Sequence, residues 1–524
     1  MKKPIYQATK IFALFTIILL WSSCRDDFET QTSSGQLEFS RDTVYLDTVF
    51  SNIGSSTYNL KVYNRSDDAI HIPSVGLAEG ENSLYRLNVD GVPGKTFENV
   101  EILAKDSIYI FVETTIDYAD FANPETNFLY TDAIEFNSGA TQQKVELVTL
   151  VQDAVFLYPQ RDDAGIKETL SLGTDEEGND IQIEGFFLED DELQFTNEKP
   201  YVIYGYAAIP PQKTLNIDAG ARIHFHSGSG IIAANQSTLK VNGRLSLDTL
   251  NLENEVIFES DRLEPDFSNV PGQWGSIWLT QGSTDHDINY ATIKNATVGI
   301  IMDSNDGGAE PTLSIRNTQI YNSSNIGLYA RTGSILGENL VINNAGISSL
   351  WLALGGSYEF THCTFANYWT QSFRNFPAVQ IDNFLLGEEA SFVADLNQAN
   401  FTNCIISGNQ GEEFLVTKSD EAAFNFNFKN CLLQFNDSFG QYSEDPLYDF
   451  DNTSLYQNII LNGEPDFKNP ENNDFRIGEE SAANGQGFLN AAQQVPQDIL
   501  GTNRTTSPDL GAYQSIEFSD EEEN

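Results

Sequence analysis

Phe401-Thr402-Asn403-Cys404-Ile405-Ile406 and Phe428-Lys429-Asn430-Cys431-Leu432-Leu433 are copies of one phrase. Two earlier copies read Ile315-Arg316-Asn317-Thr318-Gln319-Ile320 and Phe360-Thr361-His362-Cys363-Thr364-Phe365. Six copies between residues 288 and 436 align on their last residue: Ile293, Ile320, Ile342, Phe365, Ile406 and Leu433. That column is apolar throughout. Five residues upstream stand Ile288, Ile315, Gly337, Phe360, Phe401 and Phe428, apolar side chains in all but the glycine copy. Asn317, Asn339, Asn403 and Asn430 recur three residues before the anchor; Asn295, Asn322, Asn344 and Asn367 recur two residues after it.

The anchors lie 27, 22, 23, 41 and 27 residues apart. A period in the twenties points to a stack in which each copy is one structural unit. The copies are too short and too rich in β-branched residues for paired helices, so short strands with polar corners are expected. Stacked in parallel, the apolar columns form an interior and the asparagines form corners whose amides hydrogen-bond along the stack. The expected fold is therefore all-β, with a right-handed parallel β-helix solenoid over residues 200–436. The long gap reads as one coil carrying an insertion at residues 371–398.

Ahead of the repeats, Lys2, Lys3 and Lys10 precede an apolar run from Ile11 to Trp21, followed by Ser22-Ser23-Cys24. Residues 1–23 have the layout of a secretory signal peptide, and the apolar run within them is too short to span a bilayer comfortably. A cysteine directly after small residues resembles the lipobox of bacterial lipoproteins, with Trp21 standing where leucine is usual. The resemblance implies cleavage before Cys24 and lipid attachment on Cys24, an anchor that does not span the membrane. Arg25-Asp26-Asp27 resembles the surface-export signal of Bacteroidota lipoproteins, which implies an outer-membrane, cell-surface location. Residues 24–36 are then a lipidated tether.

The 524 residues carry 28 basic against 76 acidic side chains, a net charge of −48. Such a chain is a poor partner for nucleic acid or an anionic membrane surface. Four cysteines are too few for a disulfide framework. Cys363, Cys404 and Cys431 share one repeat column with Ala291, Thr318 and Leu340 and are expected as free, buried thiols.

Residues 37–155 alternate apolar and polar side chains, as in Tyr58-Asn59-Leu60-Lys61-Val62-Tyr63 and Ser107-Ile108-Tyr109-Ile110-Phe111-Val112, with turn signals such as Asp90-Gly91 between runs. About seven short strands and an antiparallel β-sandwich are expected. Leu60-Lys61-Val62-Tyr63-Asn64-Arg65-Ser66-Asp67, followed by Ile70-His71-Ile72, resembles the immunoglobulin-like sandwiches of Bacteroidota lipoproteins, modules that serve as spacers. Residues 156–199 read as an acidic transition segment. Thr214-Leu215-Asn216-Ile217-Asp218-Ala219-Gly220 and Pro271-Gly272-Gln273-Trp274-Gly275 resemble the opening coils of β-helix proteins. Near the other terminus, Asp498-Ile499-Leu500-Gly501-Thr502-Asn503-Arg504 and Ser507-Pro508-Asp509-Leu510-Gly511-Ala512-Tyr513-Gln514 resemble the closing motif of the choice-of-anchor Q type. Residues 437–516 are expected to cap the open end of the stack, whose edges would otherwise recruit other chains. Residues 517–524 form an acidic tail.

β-Helices host polysaccharide lyases and hydrolases, but the Asn-Thr-Asp, Gly-His-Gly and Arg-Ile-Lys runs of polygalacturonases are absent from this sequence. No catalytic residue is assigned. Arg222, His224 and His226 alternate on a strand and should face outward, where the histidines could hold a metal. Asp303 and Asn305 stand in a segment that resembles an EF-hand opening and could hold Ca²⁺, without the later glutamate. Aromatic residues on an excursion from a regular stack suit a binding surface: Phe373, Arg374, Phe376 and Phe384, with Tyr368 and Trp369 beside them. The sequence thus suggests a surface-anchored, non-catalytic binding or scaffold lipoprotein, with a glycan or an outer-membrane protein as its partner. The alternative is a lyase or glycoside hydrolase acting on acidic glycans.

Overall fold

The computed structural model describes residues 30–121, 127–138, 141–174, 178–248, 251–303, 308, 310–387 and 391–518. Residues 1–29 with Cys24, Asn305, and residues 519–524 of the tail lie outside the described residues. The chain is all-β and divides into two compact units after Gln152.

The first unit holds a six-stranded and a five-stranded sheet. Their inward residues, among them Val44, Leu60, Val62, Ile72, Ile110, Ile134 and Leu147, share one buried cluster. Strict alternation explains this: in Ser107–Thr114, Ile108, Ile110 and Val112 are buried while Tyr109 and Phe111 are exposed. The Asp90-Gly91 signal forms a two-residue hairpin between Val89 and Val92, with both residues at positive φ (47° and 86°), as a primed turn requires.

The second unit contains three large parallel sheets, here called A (11 strands), B (10 strands) and C (10 strands). The chain visits them in rotation, C then A then B. Thus Leu313–Arg316 lies in C, Gln319–Ser323 in A and Ile326–Arg331 in B, and the next circuit begins at Ser334–Glu338 in C. The repeat alignment is the register. Ile288, Ile315, Gly337, Phe360, Phe401 and Phe428 are successive partners in sheet C. Ile293, Ile320, Ile342, Phe365, Ile406 and Leu433 are successive partners in sheet A. All of these except Gly337 belong to one buried core. The glycine copy has a steric cause: a Cβ on Gly337 would lie 2.5 Å from the Phe360 ring. Cys363, Cys404 and Cys431 are free and buried in the column beside it.

Corner asparagines form the expected ladder. Asn317 donates to Asn289 (3.0 Å) and Asn339 to Asn317 (2.8 Å). On the other corner Asn344 donates to Asn322 (2.6 Å) and Asn322 to Asn295 (3.3 Å).

Three boundaries differ from the sequence reading. The segment 156–199 already supplies strands to all three sheets, at Val155–Leu157, Asp180–Phe187 and Gln194–Phe195. Residues 371–398 are not all insertion, because Val379–Asp382 is a strand of sheet B with Val379 and Ile381 in the core; the excursion proper is the hairpin Phe384–Leu386 with Ser391–Val393. Residues 437–516, expected as an end cap, do two things. Up to Leu461 they close the stack: Tyr448 Oη bonds both the N–H and the carbonyl of Val416 on the last strand of sheet B. Beyond that they turn back along the outer face of sheet A. There Phe475, Ile499, Ala512 and Tyr513 cover Val341 and Ala366, and Ile477, Ala483 and Leu510 cover Ile405 and Leu432. The reason is legible in hindsight: the outward column Val341, Thr364, Ile405, Leu432 is largely apolar and demands cover.

Candidate binding groove

Sheet B differs from the others on its outer face. Its outward column reads Ala208, Ile232, Trp278, Ile301, Tyr329, Trp351, Gln380 and Leu415, one residue per strand. Neighbouring strands lie about 4.8 Å apart, so the column is a row across the strands in which Trp278, Ile301, Tyr329, Trp351 and Leu415 are half-buried and Ala208, Ile232 and Gln380 are buried. Tyr329 and Trp351 rings lie 5.4 Å apart, and Trp351 stacks on Phe376 at 6.1 Å.

The Trp278 and Trp351 rings are pinned by carboxylates in the neighbouring outward column. Trp278 Nε1 donates to Asp303 Oδ2 (2.7 Å), and Arg331 grips both oxygens of the same carboxylate. Arg331 also lies over the Tyr329 ring at 5.4 Å. One step along, Trp351 Nε1 and Gln380 Nε2 each donate to Asp382 Oδ2 (2.8 Å), while Thr417 donates to Oδ1. Burial raises the Asp382 carboxyl, and these three donors only partly offset that. Burial pulls the Arg331 guanidinium down, but Asp303 outweighs it and holds the guanidinium charged.

Above the end of this row that runs from Ala208 to Trp278 lies a cavity of about 550 Å³. Its floor is Ala208, Ile232 and Trp278; one side is Ala234, Thr280, Asp303 and Arg331; Leu170 and Leu172 overhang one end, and Leu354 and Leu385 border the other. Asp303 is the sole acidic residue among the described residues that line it.

The structure redistributes the residues picked from the sequence. Phe373 is 87% exposed and Phe376 41% exposed, with Phe376 joined to the aromatic row. Phe384 is half-buried in the excursion hairpin, whose Leu385 borders the cavity. Arg374 is not on the surface: its side chain is 2% exposed and pairs bidentately with the fully buried Glu413 (2.6 and 2.9 Å). Arg374 also donates to the carbonyls of Asn367 and Phe376, so it closes a corner of the stack. Trp369 is buried with its Nε1 on Ser372 (2.9 Å). Tyr368 is half-buried against Phe467 and Phe475 of the returning segment.

Asp303 is committed to Arg331 and Trp278. His226 is exposed and lies 2.8 Å from Asp261, whereas His224 faces outward as expected but is covered and buried. It shares its outward column with Glu259 and Lys294, which close over it. Burial lowers His224, and Glu259 opposes this only in part. Burial raises Glu259, but His224, Lys294 and Arg222 outweigh it. Burial lowers Lys294, but Glu259 outweighs it, so Glu259 and Lys294 form a closed ion pair. Among the described residues no group of three His, Cys, Asp or Glu side chains converges as metal ligands would.

Sequence reasoning missed Trp278, Tyr329, Trp351, Arg331 and Asp382. The three rings fill the same outward position on three of four circuits, a pattern that appears only in the register of sheet B.

No family model matches this chain, and no curated protein matches it. Among solved structures it is similar to a family 123 glycoside hydrolase from Clostridium perfringens, described for glycolipid glycan hydrolysis, with a TM-score of 0.16 and 9% identity. That likeness covers 22% of this chain and 26% of the other, so the chain spans about a quarter of that structure's length, too little to bear on fold or chemistry.

Proposed function

We propose that this protein is a surface-anchored, non-catalytic lipoprotein that captures a neutral glycan along the outer face of sheet B. In this reading the second unit is a right-handed parallel β-helix and the first an immunoglobulin-like sandwich. A lipid on Cys24 holds the chain at a Bacteroidota outer membrane. The observation that carries the binding reading is the row Trp278, Tyr329, Trp351, with both indoles held in place by carboxylates and Tyr329 lying between Trp351 and Arg331. Fixed rings stack on sugar faces without losing side-chain freedom on binding. With a net charge of −48, and with Arg331 neutralised by Asp303, the surface favours uncharged sugars over acidic ones.

Capture without cleavage has its own support. Asp303 and Asp382 stand three strands apart in register, roughly 14 Å, whereas glycosidase carboxylates sit about 5 to 10 Å apart. Both are also occupied by indole N–H groups.

The test is binding of the purified mature protein to neutral polysaccharides, read by affinity electrophoresis. Trp278→Ala and Trp351→Ala should each weaken binding about tenfold, the worth of one stacked ring. New reducing ends or unsaturated uronates, with or without Ca²⁺, would overturn the non-catalytic reading. Wild-type retention by both variants would move the site elsewhere.

A further inference from the structure

The groove is not uniform along its length. At one end it is lined by Leu170, Leu172, Phe187, Ala208 and Ile232. Its flank instead follows the C-terminal ends of four sheet B strands and presents Asn235, Thr280, Gln281, Asp303, Arg331 and Thr332. One local device builds the apolar end. Strand Thr169–Thr174 runs antiparallel to Asp180–Phe187 and carries Leu170 into a cluster with Tyr206, Ala208 and Ile232, with Leu172 and Trp278 packed against it. Phe187, at the same end, remains 48% exposed.

A wholly polar ligand would leave Phe187 and the half-buried Leu172 wet. A wholly apolar one would strip water from the flank and return no hydrogen bonds. Asp303 and Arg331 cancel each other, so the polar part of a ligand meets no net charge. Resting on the reading of this groove as a glycan site, the geometry points to an amphipathic glycoside as its ligand. The neutral sugar lies on Trp278 and the polar flank. The alkyl group attached to it is seated against Leu170, Leu172, Phe187 and Ile232. Each methylene that this end buries is worth about fourfold in affinity.

The experiment is calorimetric titration of the full mature chain with octyl β-glucoside and octyl β-galactoside below their micelle thresholds, against the matching methyl glycosides and 1-octanol. At least one octyl glycoside should bind ten or more times tighter than both its methyl counterpart and octanol. Leu172→Ser and Phe187→Ser, both at partly exposed sites of the apolar end, should each erase that advantage and leave methyl glycoside binding unchanged. Trp278→Ala should weaken both glycosides. Equal affinity for octyl and methyl glycosides overturns the inference and leaves glycan capture standing. Octanol binding as tightly as the octyl glycosides overturns both. If no probe binds, retention on neutral polysaccharides decides: retention overturns the amphipathic ligand alone, and its absence overturns both readings.

Discussion

Left-handed backbone costs an ordinary residue on the order of 1–2 kcal/mol, and asparagine is among the few side chains that adopt it routinely. Asn317, Asn339, Asn403 and Asn430 have φ of 48°, 53°, 56° and 50°. The asparagine column is therefore a backbone requirement first and a hydrogen-bonded ladder second. His362 fills the same place in its circuit at φ 54° and stays in the ladder by accepting from Asn403 (2.9 Å). Asn403 also bonds both backbone groups of Phe488, at 2.6 and 3.1 Å. Asn403→Gly keeps the conformation and loses these bonds; Asn403→Ala loses both. The expected costs are about 2 and about 3 kcal/mol respectively, read from urea unfolding by tryptophan fluorescence. That signal reports the second unit, because Trp274, Trp278, Trp351 and Trp369 all lie in it. Equal costs for the two variants would show that the turn does not select asparagine.

A second residue-scale prediction concerns acid. His286 is buried, with Nδ1 accepting from Leu239 N–H (3.0 Å) and Nε2 beside Ser283 Oγ (2.9 Å). Burial first, then Lys240, lowers it to about 4. Above the unfolded value near 6.5 the neutral ring is compatible with both states. As pH falls below about 6.5 the unfolded chain takes up a proton that the folded chain refuses, and stability drops until pH passes the folded value. His286 alone should cost on the order of 3 kcal/mol between pH 7 and pH 4. His286→Gln should flatten that slope in denaturation curves at pH 7, 5.5 and 4.5; an unchanged slope would assign the acid sensitivity to other groups.

At the scale of elements, the returning C-terminal segment is held by its motif. Arg504 is fully buried and donates to Asn339 Oδ1 (3.1 Å) and to the carbonyls of Gly511 and Ala512 (both 3.2 Å). Asp498 accepts from Leu500, Thr502 and Gln514, and Asp509 from Gly485 and Ser515. The Arg and Asp positions of the motif thus lock a segment that follows the apolar outer column of sheet A. Burial pulls Arg504 down to about 10, so it remains charged at neutral pH. Arg504→Ala takes a donor from three acceptors, of which the Ala512 carbonyl keeps the Ile499 N–H (3.1 Å), and should loosen this segment before the sheets. Chymotrypsin should cut near Phe488 at least ten times faster than in wild type while tryptophan fluorescence stays native. Unchanged proteolysis would mean that apolar cover alone holds the segment. Removing residues 463–524 should bare Ile405 and Leu432 and make the unit aggregate, read by light scattering.

For the whole molecule, the thiols test folding and anchoring together. Cys404 and Cys431 are fully buried, and burial raises both well above the usual thiol range, so they are unreactive at neutral pH. The native mature protein should show no rapidly labelled thiol. In denaturant three should titrate if Cys24 carries a thioether-linked lipid and four if it is free; four would sink the lipid anchor. Ile320→Asp puts an unpaired charge into the dry interior and should unfold the second unit, while the first unit, with its separate core, keeps its signals.

What the sequence determined by itself was every periodic feature. The anchor column from Ile293 to Leu433, the asparagine corners and the buried cysteines repeat because each circuit meets the same interior, and repetition can be read without coordinates. The groove could not be read that way. Trp278, Tyr329 and Trp351 lie 51 and 22 residues apart, and only the register of sheet B makes them one row. Arg374 looked like part of an exposed aromatic excursion, yet its partner Glu413 sits 39 residues later and draws it inside. The returning segment was hidden for the same reason: its contacts cross more than a hundred positions, as from Arg504 to Asn339, and leave no local pattern. Local periodicity records what each circuit has in common; a site arises where circuits differ, and only stacking brings those differences together.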